Sequence, residues 1–156
     1  MIFYSVILQT LVFGSDSLFS YKARMDKLPR KHLDKEHFDN IQSGKKEWEL
    51  RVPKPKSSPT KEDEKGCDGF WEEVRRGSMF IFFCRDRPGT ELLVRVEKVV
   101  KFASVADALE WCYAPRVVPG SSFEDAKKVY STIYPDSMVR KYGVVAIKID
   151  CTFVSD

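Results

Sequence analysis

The stretch His37-Phe38-Asp39-Asn40-Ile41-Gln42-Ser43-Gly44-Lys45-Lys46-Glu47-Trp48-Glu49-Leu50-Arg51 changes its hydrophobic period at Gly44. Before the glycine, Phe38 and Ile41 lie three residues apart, the spacing of one helical face, and Asp34 upstream is a suitable N-cap. This predicts a helix from Asp34 to about Ser43, with Phe38 and Ile41 buried and Gly44 as its C-terminal stop. After the glycine the period falls to two. From Lys46 to Val52, Trp48, Leu50 and Val52 fall on one face and Glu47, Glu49 and Arg51 on the other, which reads as a half-buried strand.

Downstream, Pro53 to Gly69 is rich in proline, serine and charge and has no period, as expected of a flexible surface loop. Ser78 to Cys84 is a continuous apolar run bounded by Gly77 and a turn sequence, a strand covered on both faces. Glu91 to Phe102 predicts a long strand whose alternation slips near Lys98, where a bulge would restore it. Ser104 with Asp107, and Ser122 with Asp125, open two further helices. The second carries Phe123, Ala126, Val129, Tyr130 and Ile133 at helical spacing and stops before Pro135. Val145, Ile147, Ile149, Cys151 and Phe153 alternate along a closing strand. About five strands and three short helices predict the α+β class and a small mixed barrel, because so few strands do not bury both faces as an open sheet.

The 156 residues suit one domain, expected over residues 25–156 with a flexible loop at 53–69 and an N-terminal extension at 1–24. With 43% hydrophobic and 31% charged residues, the composition excludes wholesale disorder and a multispanning membrane protein. Ile2 to Phe13 is apolar and followed by small polar residues, yet the first cation is Lys22 and the run is too short to cross a bilayer. A signal peptide, an added strand and a loose extension remain alternatives there, and intracellular residence is the expectation. Cys67, Cys84, Cys112 and Cys151 contain no paired spacing, and His32 and His37 are the only nitrogen ligands, so neither a zinc site nor another cofactor is expected. Cys84 and Cys151 read as buried thiols of a reducing compartment, with a disulfide as the alternative. His32 is expected at a strand end and His37 on a helix surface.

The chain carries 26 basic and 23 acidic residues, so any nucleic-acid binding must come from a local patch. From Lys27 to Lys56 there are nine cations and five acids, an excess of four that could steer a polyanion or simply be solvated. Arg75, Arg76, Arg85 and Arg87 form a second basic group bracketing the apolar strand.

The helix, the string Gly44-x-Lys46-x-x-Glu49-x-Arg51, the strand after Gly77 and the terminal Tyr142-Gly143-Val144-Val145-Ala146-Ile147 together resemble the ASCH domain, the activating-signal-cointegrator homology family, over roughly Lys27 to Asp150. Ser78 stands where that family usually has an acid, and the loop between the motifs is longer. The resemblance implies a PUA-like barrel with a cleft beside the first helix, and binding of RNA or a modified nucleoside by Lys45, Lys46, Glu49 and Arg51. Some small members of the superfamily hydrolyse N4-acetylcytidine. Lys46 matches their lysine, Glu49 occupies the position of their threonine, and Val117-Val118-Pro119-Gly120, upstream of Phe123 where their acid would lie, contains no acid.

The residues themselves leave the choice open. Glu49 and Arg51 share a strand face and could meet a base edge and a phosphate together, or form a surface ion pair. Lys46 has the opposite parity and joins them only if the chain bends after Gly44. Trp48 is read as core, with base stacking as the alternative. Lys46 and Glu49 are the catalytic candidates of a hydrolase or ribonuclease reading: a carboxylate base acting on water beside a cation that stabilises the oxyanion. A protein partner held by the Pro53 to Gly69 loop is the third reading.

Overall fold

Two edge strands far apart in the sheet and one helix between them in sequence set the architecture. The computed structural model describes residues 18–55 and 69–155; the apolar run of residues 2–13, Cys67 and most of the Pro-rich loop lie outside the described residues. The element order is α1 (Leu18–Met25), β1 (Arg30–His32), α2 (Lys35–Gln42), β2 (Trp48–Arg51), α3 (Phe70–Glu73), β3 (Met79–Phe83), β4 (Thr90–Phe102), α4 (Val105–Cys112), α5 (Ala114–Val117), α6 (Phe123–Ile133), α7 (Asp136–Tyr142) and β5 (Val144–Ser155). The strands form one curled half-barrel sheet in the order β1-β3-β4-β5-β2. β1 runs parallel to β3, and the other neighbours are antiparallel.

Because β1 and β2 occupy opposite edges, α2 must cross the mouth of the curl to join them. Phe38 and Ile41 of α2 accordingly pack into one core cluster with Phe80, Phe82, Val94, Val145 and Ile147 from three strands. The helix thereby does part of the work that further strands do in a closed barrel. On the other face, α4, α5 and α6 cover Trp48, Leu50, Val144 and Ala146. A smaller cluster joins Met25, next to the N-terminal extension, to Ile81 and Leu93.

The slip in β4 is a bulge: Val96 pairs with Ile149 and Lys98 with Lys148, leaving Glu97 extra. Ser104 and Ser122 each accept a hydrogen bond from the backbone N–H three residues on, as caps do. Asp34 occupies the N-cap of α2 without a side-chain cap bond, and Gly44 takes φ +76°. Cys84, Cys112 and Cys151 are free thiols. Among the described residues no helix is long and apolar enough to cross a membrane.

Three expectations need correction. The described residues form seven helical segments instead of three. α3 and α5 are single turns, too short to show a period, and α7 buries no side chain fully, so no apolar stripe marks it. Ile133 is exposed because α6 ends there, beyond its packed turns at Ala126 and Tyr130. β2 is buried on both faces instead of one, since α2 closes over the Glu49 side.

Candidate functional site

The site is built at the seam between α2 and β2. After Gly44 the chain turns back on the helix: Lys46 N–H donates to the Asn40 carbonyl at 3.0 Å, and Glu47 N–H to that of Arg116 at 2.9 Å. This bend removes the parity objection to Lys46. Its side chain runs inward, 0% exposed, and its Nζ donates to the Val117 carbonyl at 2.7 Å and to Tyr130 Oη at 3.4 Å. Val117 ends α5, where carbonyls lack intrahelical donors, so the ammonium satisfies an orphan acceptor.

Glu49 lies between two cations. Its Oε2 is 3.1 Å from Lys46 Nζ and its Oε1 2.8 Å from Arg51 Nε, with the carboxylate side chain 7% exposed and the guanidinium side chain 22%. Both contacts are ion pairs by distance but lie off the hydrogen-bond line. Glu49 Oε2 and Arg51 Nε are therefore buried without an aligned partner, as is His37 Nδ1 on the facing side of α2. Arg51 also stacks on Trp71 of α3, its Cζ 4.8 Å from the ring centre.

Burial alone would push the Glu49 carboxyl up, but Lys46, then Arg51 and His37, outweigh it and hold it below the ordinary carboxylate value. Burial lowers Lys46, with Glu49 restoring part of the difference. For Arg51 burial is again the largest influence and lowers it, yet Glu49 and the phenols of Tyr134 and Tyr130 together leave it raised. Burial and the Lys46 charge lower His37. Burial beside Glu49 raises the Tyr130 phenol well above its usual value, and burial also raises Tyr134. These two rings stack at 6.5 Å along the outer edge of β2, near the backbone of Leu50 and Val52, and so cover an edge strand that would otherwise offer unpaired groups.

Of the residues singled out in the sequence, Lys46, Glu49 and Arg51 converge, whereas Lys45 is exposed on the bend. Lys46 is enclosed instead of facing a cleft: its donors are taken up by protein groups, so it positions Glu49. Trp48 is core and meets Trp111 edge-on at 5.4 Å. His37, expected on a helix surface, is half-buried against the ion cluster because α2 lies across the sheet. Tyr130, Tyr134 and Trp71 complete the site. Tyr130 and Tyr134 are four residues apart, one in the last turn of α6 and the other at its C-cap, a spacing visible in the sequence; Trp71 had no such signal, since it follows an aperiodic loop.

Within the basic stretch from Lys27 to Lys56, several cations outside the Lys46–Glu49–Arg51 group also have partners. Arg30 pairs with Glu91 at 2.9 Å, Lys35 with Asp39 at 2.8 Å, and Lys31 lies 4.4 Å over Phe70. Arg87 of the second basic group also pairs with Asp39, at 3.0 Å. Among the described residues no group of three His, Cys, Asp or Glu side chains is arranged to hold a metal ion.

No protein-family model matches the chain, and no curated protein does. Solved structures do. The chain is similar to the crystal structure of the hypothetical protein PH0355, at 27% identity and a TM-score of 0.59, over 79% of this chain and 97% of that one. It is also similar to the solution structure of protein PF0455 from Pyrococcus furiosus, at 27% identity and a TM-score of 0.55, over 79% of this chain and 96% of that one.

Proposed function

We propose that the protein is an RNA- or nucleotide-binding module whose ligand meets Arg51, Glu49 and Trp71 at the α2–β2 seam. The observation that carries this reading is a carboxylate held ionised between two cations, one of which, Arg51, keeps an exposed fraction and lies against an indole. A guanidinium fork suits phosphate or a guanine edge, an ionised carboxylate accepts from an exocyclic amine, and an indole stacks a base. The likeness to the ASCH family supports the same class of ligand, and Lys45 on the exposed bend is available to a phosphate.

Anisotropy titration with short single-stranded RNA and with a labelled mononucleotide at two salt concentrations tests it. Saturable binding weakened by salt is expected, and Arg51→Ala should weaken it by about tenfold or more while the protein stays folded. A melting collapse in that variant, or binding that never saturates, overturns the assignment. The alternative, a hydrolase acting on an acylated nucleoside, draws on the 3.1 Å Lys46–Glu49 contact. Product from N4-acetylcytidine, abolished in Glu49→Gln, would favour it; no product from the wild type would dismiss it.

A further inference from the structure

The bulge in β4 builds a second charged surface, on the side of the sheet away from the Phe38 core. Successive strand residues alternate faces, so the extra Glu97 turns Lys98 away from the Val96 side and onto the face of Arg95 and Lys148. Arg76, Arg95, Lys98 and Lys148 line an open groove of about 540 Å³ there. Glu97 is the one carboxylate among its described lining residues; it lies 3.3 Å from Lys148, and Asp150 pairs across from Arg95. Four cations against two carboxylates leave the face positive. Lys98 and Lys148 stand directly opposite each other in the ladder, where like charges repel. Core packing does not call for this, since Arg76, Arg95 and Lys98 are exposed.

An aromatic platform adjoins the groove. Lys98 Nζ lies 4.8 Å over the ring of Trp111, which is 50% exposed. Two residues on, Tyr113 is 63% exposed and holds φ +65°, a left-handed backbone that a bulky side chain rarely adopts. A cationic track ending at an exposed indole matches a ligand with regularly spaced anions and flat rings. An acidic peptide would satisfy the charges and leave the rings unused.

We propose that this groove binds the phosphodiester backbone of single-stranded nucleic acid, with Trp111 stacking one base where Lys98 now covers the ring. The inference rests on the nucleic-acid reading above for its class of partner, and on different residues for its site. Arg95, Lys98 and Lys148 hold successive phosphates, and the strand leaves the groove at Trp111.

The test is anisotropy titration of an oligouridylate of about twelve nucleotides and of labelled uridine monophosphate over a salt series. The proteins compared are wild type, the triple variant Arg95→Gln/Lys98→Gln/Lys148→Gln, Trp111→Ala and Arg51→Ala, each with its melting midpoint measured. The triple variant should bind the oligomer about tenfold or more weakly, with a salt slope smaller by roughly 2, about 0.7 for each phosphate that is no longer neutralised. Its affinity for the mononucleotide should not change. Trp111→Ala should bind the oligomer about fivefold or more weakly at an unaltered salt slope. Oligomer binding by the folded triple variant within about twofold of wild type overturns the inference. So does equally tight, groove-dependent binding of polyglutamate or of anionic vesicles. A wild type that binds the mononucleotide alone overturns this inference and leaves the Arg51 site standing. Groove-dependent oligomer binding that Arg51→Ala leaves untouched, with no mononucleotide binding, does the reverse.

Discussion

Glu49 carries its charge where a lone carboxylate would be neutral. Lys46 and Arg51 keep it ionised, and the three side chains form one electrostatic unit in which each removal has a different effect. Lys46→Met deletes the wholly buried partner and leaves both Glu49 and the Val117 carbonyl uncompensated, so a loss of about 3–5 kcal/mol is expected in denaturant unfolding. A loss below about 1 kcal/mol would show that the site rearranges freely. Arg51, with part of its side chain in water, should matter more to binding than to folding. His37 gives the site a pH signature. Its folded value is lowered, so the unfolded chain takes up a proton first as the pH falls. Its contribution is complete above about 6.5, the unfolded value, and is lost as the pH drops from there through the folded value. Melting midpoints should therefore fall between about pH 7 and pH 5 in the wild type and fall less in His37→Gln. Parallel curves for the two proteins would remove His37 from this role. Glu49 adds a loss of the same sign at more acidic pH, beginning below about 4.3.

At the scale of elements, the start of β5 is fixed by geometry that few residues satisfy. Gly143 takes φ +73° and ψ −165°, and a Cβ there would meet the Phe102 carbonyl oxygen at 2.8 Å. Gly143→Ala should therefore cost about 1–3 kcal/mol, read from the unfolding midpoint; an unchanged midpoint would mean the β4–β5 pair yields at its end. The bulge makes the opposite kind of forecast. Because Lys98 pairs with Lys148 immediately after Val96 pairs with Ile149, removing Glu97 leaves a regular ladder with every core residue on its present face. A chain lacking Glu97 should fold cooperatively, whereas one lacking Val94 should not, since every earlier side chain of β4 would change faces relative to the later ones. Circular dichroism melts of the two deletions decide the matter. The bulge was legible in the sequence as the slip in alternation near Lys98, as were the helix starts at Ser104 and Ser122. β1 was not, because Arg30, Lys31 and His32 have no apolar alternation and the strand is held by parallel backbone pairing to β3.

For the whole molecule, the decisive feature is a half-barrel whose mouth is spanned by the helix that links its two edge strands. Phe38 fills that mouth, wholly buried among Phe80, Val94 and Ile147, and Phe38→Ala should cost about 3–5 kcal/mol, against which a loss of less than 1 kcal/mol in urea unfolding would show that α2 is not needed to close the sheet. The α+β class, the four longer strands, the helix–Gly44–strand unit and the shared face of Glu49 and Arg51 all follow from the sequence, because hydrophobic period and cap chemistry are set within a single element. The enclosure of Lys46 does not. Its partners Val117 and Tyr130 lie 71 and 84 residues away, and His37 and Trp71 reach the same seam only because α2 and α3 close over one face of β2. Which charges are buried together depends on the order of strands in the sheet, and that order is chosen by packing energy summed over the entire chain, which no local period encodes.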